Sequence, residues 1–148
     1  GLKPGDRVML VSENRPEWLI ADLAIMAAGC VTVPTYTTNT TRDHTHILGN
    51  SGARAVIVSN QKLAKTLVPA VLFSSDCHDV IGIEDIRTGQ AVEGARFHHW
   101  DELTRDNGDL EPVRQRIAGI GRNDLACLIY TSGTGGAPRG VRQHHGAI

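Results

Sequence analysis

Hydrophobic and polar positions change period along the chain, and each change marks an element. Arg7 to Ser12, RVMLVS, is a short β-rich apolar run behind the turn signal Pro4-Gly5-Asp6, and it predicts a buried strand. Pro16 then suits a first helical position, with Glu17 in the first turn. Leu19, Ile20, Leu23, Ala24 and Ala27 make an apolar stripe at helical spacing that Gly29 ends. Val31 to Tyr36 returns to β character, and Pro34 argues for an edge or a strand end.

Thr40 with Asp43 suits a helix N-terminus, Ile47 and Leu48 face inward, and Gly52 closes the helix. Ala53 to Ser59, ARAVIVS, is the clearest strand. Asn60 caps a helix running to about Phe73, whose Leu63, Leu67, Ala70 and Val71 repeat at helical spacing, with Pro69 its weak point. Val80 to Ile83 is a further strand. Glycine and charge dominate from Arg87 to Gly108, which predicts mostly loop, with short helices near Trp100 to Leu103 and Pro112 to Ile117. Leu125 to Tyr130, LACLIY, is the last strand expected. Strands alternating with helices predict an α/β fold, a mainly parallel sheet flanked by helices, with no internal repeat.

Composition narrows the class. A chain of 148 residues with 41% hydrophobic and 21% charged positions can build one globular core and is too apolar for disorder. Fifteen basic against 16 acidic residues, a net charge of −1, offer no global field for nucleic acid or an anionic membrane. The longest apolar stretch, Trp18 to Val33, is interrupted by Asp22 and falls short of the ~20 residues a transmembrane segment needs. Cys30, Cys77 and Cys127 are odd in number and widely spaced, which points to a reduced, cytoplasmic setting rather than a disulfide framework. Cys30 and Cys127 are expected in the core and Cys77 in a loop. The opening residues GLKPGDRV read as the interior of a longer protein.

Candidate chemistry collects between Thr131 and Gly140. Thr131, Ser132 and Thr134 bring hydroxyls, Gly133, Gly135, Gly136 and Gly140 bring uncovered backbone, and Arg139 brings charge. Glycines let N–H groups approach a ligand without an intervening Cβ, and concave runs of such groups bind anions, so these are the parts of a polyphosphate cradle. Two familiar phosphate loops do not fit. Gly135 and Gly140 have the Walker A spacing, but Val141 stands where lysine is required. Gly133 and Gly135 begin a dinucleotide fingerprint, but Pro138 replaces its third glycine. No metal site is expected, since the seven histidines lack Cys-x-x-Cys partners, and His44 and His46 fall on different faces of a helix. Trp18 and Trp100 are expected to pack, and Asp6, Arg7, Asn14 and Arg15 to fix turns and caps.

The segment from Tyr130 to Val141, YTSGTGGAPRGV, resembles the phosphate loop YTSGTTGxPKGV of the AMP-forming adenylate enzymes, which include acyl-CoA synthetases, peptide-synthetase adenylation domains and luciferases. Gly135 replaces a hydroxyl residue and Arg139 replaces lysine, keeping the charge but turning it into a planar fork. Gly5 to Trp18 and Val33 to Ser59 resemble the opening strands and helices of the same superfamily, and His145 sits where a histidine commonly follows the loop. The likeness weakens only between about Asp76 and Gly121. The tyrosine-threonine segment and HILGNSG are most similar to long-chain fatty acyl-CoA synthetases.

That resemblance implies that residues 1–148 are part of an AMP-binding N-terminal domain, with the phosphate loop at 130–141. It implies a parent that uses ATP, Mg2+ and coenzyme A with a fatty acid. A carboxylate attacks the α-phosphorus of ATP, pyrophosphate leaves, and the thiol of coenzyme A displaces AMP. Thr131, Ser132, Gly133, Thr134, Gly135, Gly136, Arg139 and Gly140 would hold the phosphates, with Arg139 stabilising the leaving pyrophosphate. The adenine and ribose pockets, the acyl tunnel, the acidic residue near magnesium and the C-terminal domain with its lysine would lie beyond Ile148. The isolated chain is therefore expected to be inactive and to self-associate through exposed strand edges. The parent takes small-molecule substrates and no nucleic acid, with room for peripheral membrane contact. Another adenylate-forming ligase, such as a peptide-synthetase adenylation domain or a short-chain or aryl-acid CoA ligase, stays open, as does a non-catalytic nucleotide- or partner-binding module.

Overall fold

The computed structural model describes residues 1–88, 92–106, 108–132 and 135–148. Its first strand, β1 (Arg7–Val11), is buried from Val8 onward, as an apolar run needs when helices cover both faces of a parallel sheet. α1 (Pro16–Ala27) starts on the proline, β2 (Val31–Thr35) follows, and α2 (Thr41–Ser51) carries a complete capping box. In that box the Asp43 N–H donates to Thr40 Oγ1 at 3.3 Å, while the Thr40 N–H donates to the Asp43 carboxylate at 2.9 Å. Gly52 closes α2 at φ 64°, and Arg7 donates to the carbonyls of Ser51 and Gly52 at 2.6 and 3.3 Å. β3 (Ala55–Val58) precedes α3 (Gln61–Phe73), which Asn60 caps by accepting the Leu63 N–H at 3.0 Å. Pro69 does not end α3. The buried face of Leu63, Leu67, Ala70 and Val71 holds the helix together across the lost hydrogen bond.

The chain continues through β4 (Asp79–Gly82), β5 (Arg96–His99), α4 (Trp100–Arg105), α5 (Glu111–Ala118), β6 (Leu125–Thr131) and β7 (Arg139–His144), then a short 3-10 turn. All seven strands form one sheet in the order β5-β4-β3-β1-β2-β6-β7, parallel except for the antiparallel β6–β7 hairpin. The expected mainly parallel α/β architecture is therefore what the chain adopts. The path steps one way from β1 to β2 and the other way from β2 past β1 to β3. Right-handed crossovers then place α1 on one face and α2 and α3 on the other. Met9, Val11, Val33, Val56 and Val58 pack under α2 and α3, whereas Val8, Leu10, Ala55 and Ile57 pack under Ala21 and Ile25 of α1.

Three expectations need correction, and a fourth had two readings of which one holds. β5 and β7 lie in stretches without apolar periodicity because both are edge strands exposed to water. Side chains secure β5: Arg96 forks onto Asp79 at 2.9 and 2.8 Å, and the His98 Nε2–H donates to the same carboxylate at 2.9 Å. Arg96 foremost, with His98, brings the Asp79 pKa down to about 2. β2 is an interior strand, so of the two readings of Pro34 the strand end holds: it is the last residue but one and lies beyond the bridge Thr32↔Cys127 to β6. In α1 the inward residues are Ala21 and Ile25, while Leu19, Ile20 and Leu23 point outward. A helix apolar on nearly every side does not reveal its packed face by period alone. Cys77 is fully buried rather than in an open loop, and burial pushes its pKa up to about 12. Trp18 and Trp100 pack against the α1 core cluster as expected.

Candidate functional site

The glycine-rich loop leaves the carboxyl end of β6, the edge of an open α/β sheet where ligands bind. Its ends are brought together by the hairpin, in which Tyr130 faces Gly140 and Thr131 faces Arg139. Tyr130 is buried, and a Cβ on Gly140 would stand 3.0 Å from its ring. Gly140 is thus glycine because the tyrosine lies across its backbone, a cross-strand packing role beside the ligand-binding one expected of it. Gly135 adopts φ 77°, a conformation that β-branched residues avoid. Where the family pattern has a hydroxyl residue, this chain has a backbone shape suited to glycine.

Two side chains of α2 meet this loop. The Tyr130 hydroxyl donates to Asn50 Oδ1 at 2.6 Å, and His46 Nε2 lies 2.7 Å from the carbonyl oxygen of Pro138. A carbonyl only accepts, so His46 carries a proton on Nε2. Burial raises the Tyr130 pKa, which keeps the phenol protonated as a donor. Between α2 and the loop lies a cavity of about 630 Å³ lined by His46, Asn50, Arg139 and the backbone of Gly135, Gly136 and neighbouring loop residues.

Of the expected site residues, Gly135, Gly136, Arg139 and Gly140 line this cavity. Thr131 and Ser132 are exposed at the mouth of the loop and are not part of the lining, while Gly133 and Thr134 lie outside the described residues. Among the described residues nothing lies within 4 Å of a Cβ placed on Gly135 or Gly136, which leaves the backbone there open to a ligand on that side. Arg139 is exposed and enters no ion pair among the described residues. Cationic and amide donors without a described carboxylate fit a polyphosphate. They do not by themselves fit Mg2+, whose ligands are oxygens, commonly carboxylates.

His46 and Asn50 were not singled out as ligands in the sequence. Their one available signal is the i, i+4 spacing that puts them on one face of α2. His44 behaves differently: it is buried, and its Nδ1 has no partner among the described residues. Desolvation lowers its pKa, opposed only by Asp43. The unfolded chain, titrating near the ordinary ~6.5, therefore takes up a proton that the folded chain resists. Stability should be complete above about pH 6.5 and fall as the pH drops below it. Urea melts at stepped pH should show that loss, and a His44→Leu variant should show less of it; equal slopes would exclude His44 as the source.

The family model described as AMP-binding enzyme matches residues 1–148. The chain belongs to the AMP-binding enzyme family. Among curated members of this family, it is 34% identical over 144 residues to a long-chain-fatty-acid–CoA ligase of Mycobacterium tuberculosis, covering 96% of this chain and 22% of the ligase. It is 27% identical over 148 residues to the phosphinothricin tripeptide synthetase PhsB of Streptomyces viridochromogenes, covering 100% of this chain and 10% of the synthetase. The solved acetoacetyl-CoA synthetase of Streptomyces lividans superposes with a TM-score of 0.77 at 24% identity, over 99% of this chain and 23% of that one, a likeness of fold. The chain thus spans about a fifth of that M. tuberculosis ligase, 22% of its length.

Proposed function

We propose that the chain is the phosphate-holding part of an AMP-forming long-chain fatty acid–CoA ligase. The observation that carries this reading is a glycine loop at the carboxyl end of a parallel sheet, beside a cavity lined by glycine backbone and by Arg139, which enters no ion pair among the described residues. In the proposed first half-reaction, a fatty carboxylate attacks the α-phosphorus of ATP and negative charge moves onto departing pyrophosphate. Arg139 and the amides of Gly135 and Gly136 would meet that charge as it develops, where a fixed donor has its largest effect. Thr131 and Ser132, at the loop mouth, would complete the shell. In the proposed second half-reaction the thiol of coenzyme A displaces AMP from the acyl-adenylate.

The similarity to a long-chain-fatty-acid–CoA ligase supports the acyl class, while the similarity to a tripeptide synthetase supports an amino-acid-activating alternative. A panel of carboxylic acids offered to the full-length protein with ATP and coenzyme A, scored by AMP release, should give its highest kcat/KM with long-chain fatty acids. A preference for amino, aryl or short-chain acids would overturn the long-chain assignment and leave the adenylate-forming one.

A further inference from the structure

The geometry points to His46 and Asn50 as positioning residues that clasp the two limbs of the glycine loop onto α2, an inference that rests on the phosphate-loop reading above. The hairpin joins the ends of the loop but leaves its tilt relative to the helical layer unspecified. Two contacts across long sequence separations supply that restraint. Asn50 accepts from the Tyr130 hydroxyl on the incoming limb at 2.6 Å, and His46 donates to the Pro138 carbonyl on the outgoing limb at 2.7 Å. They act one helical turn apart on one support.

The outgoing contact matters most. The Pro138 carbonyl belongs to the peptide plane that carries the Arg139 N–H, so holding its oxygen fixes the orientation from which Arg139 departs. Pro138 has no N–H and a restricted φ, which reduces the other motions open to that limb. The support is itself stiff: α2 is capped at both ends, Ile47 and Leu48 are buried beneath it, and Arg7 binds the carbonyls at its C-terminal end. A donor held in place before reaction contributes more than one that must be ordered during it. His46 is half-buried, Asn50 is exposed, and neither belongs to a core cluster, so the clasp serves the loop more than the fold.

The test uses the full-length protein and pyrophosphate exchange into ATP with fatty acid present. His46→Ala should lower the exchange rate about five- to tenfold, the range expected for one lost hydrogen bond, with KM for the fatty acid and the melting temperature unchanged. His46→Gln, which keeps a side-chain N–H donor, should recover most of the rate. Asn50→Ala and Tyr130→Phe should each slow exchange, and the double variant should be no slower than the worse single one. Exchange at the wild-type rate in His46→Ala overturns the clasp. So does a slow His46→Gln variant with an unchanged melting temperature. If His46→Ala does not fold, Asn50→Ala decides: slowed exchange supports the clasp and an unchanged rate overturns it. Arg139→Ala, run alongside, separates the two readings. If it slows exchange while His46→Ala does not, only the clasp fails, and if neither does, the phosphate-loop reading fails as well.

Discussion

Arg139→Ala in the full-length protein is expected to slow pyrophosphate exchange into ATP by about 10²–10³, the loss typical of removing one fixed donor from a developing anion. Arg139 opens β7 directly opposite Thr131, so its backbone is held by the hairpin while its side chain stays exposed at the cavity. No described carboxylate pairs with it, and its charge is therefore available to a phosphate. Remaining amides and hydroxyls would still bind pyrophosphate, but as neutral donors, which are roughly half as strong as charge-assisted ones. Arg139→Lys keeps the charge and loses the planar fork, so it should fall between wild type and alanine. Isotope exchange with the fatty acid present measures the effect. An unchanged rate in Arg139→Ala would remove this residue from the proposed chemistry.

Leu67→Ala is expected to destabilise the fold by about 2–5 kcal/mol, the range for emptying a buried leucine site. Leu67 is fully buried on α3 beside residues of β1, β3 and α2. Its helix contains Pro69, so α3 relies on packing where its own hydrogen bonding is interrupted. Close-packed surroundings relax only partly around a lost side chain, which adds a cavity term to the lost transfer free energy. Urea unfolding of the variant against wild type reads the difference directly. A change under about 1 kcal/mol would mean that the inward face of α3 is not part of the cooperative core.

Local signals were strong where one residue type has one physical use. Thr40 with Asp43, Asn60 and Gly52 mark helix ends because each satisfies a specific unpaired backbone group or a left-handed turn. Arg7 to Ser12 and Ala53 to Ser59 read as strands, and β1 and β3 lie within them, because burial on both faces demands unbroken apolar runs. The glycine loop was visible for a related reason: uncovered amides, hydroxyls and one arginine collect within ten residues, from Thr131 to Gly140.

Signals failed where the deciding partner is distant in the chain. Arg96 to His99 looks like loop material until Asp79 supplies a neighbour for its cation. Nothing within Arg139 to His144 marks a strand, since β6 provides its register and water wets much of its surface. The packing use of Gly140 was hidden as well, since only its cross-strand partner shows that a Cβ there would stand 3.0 Å from the ring of Tyr130. Leu19, Ile20 and Leu23 looked inward because α1 is apolar nearly all round, and only docking of Ala21 and Ile25 on the sheet chose the face.

The sequence by itself determined the class of fold, the caps, the interior strands and the position of the glycine-rich loop, because each depends on neighbours within a few residues. Tertiary structure alone decided the edge strands, the packed face of α1 and the placement of His46 and Asn50 against the loop. All of them depend on partners outside the local window, and the last on contacts 80 and 92 positions apart, Asn50 with Tyr130 and His46 with Pro138. Such contacts leave no periodic trace in the chain, and they exist only after crossovers have put α2 and the β6–β7 hairpin side by side.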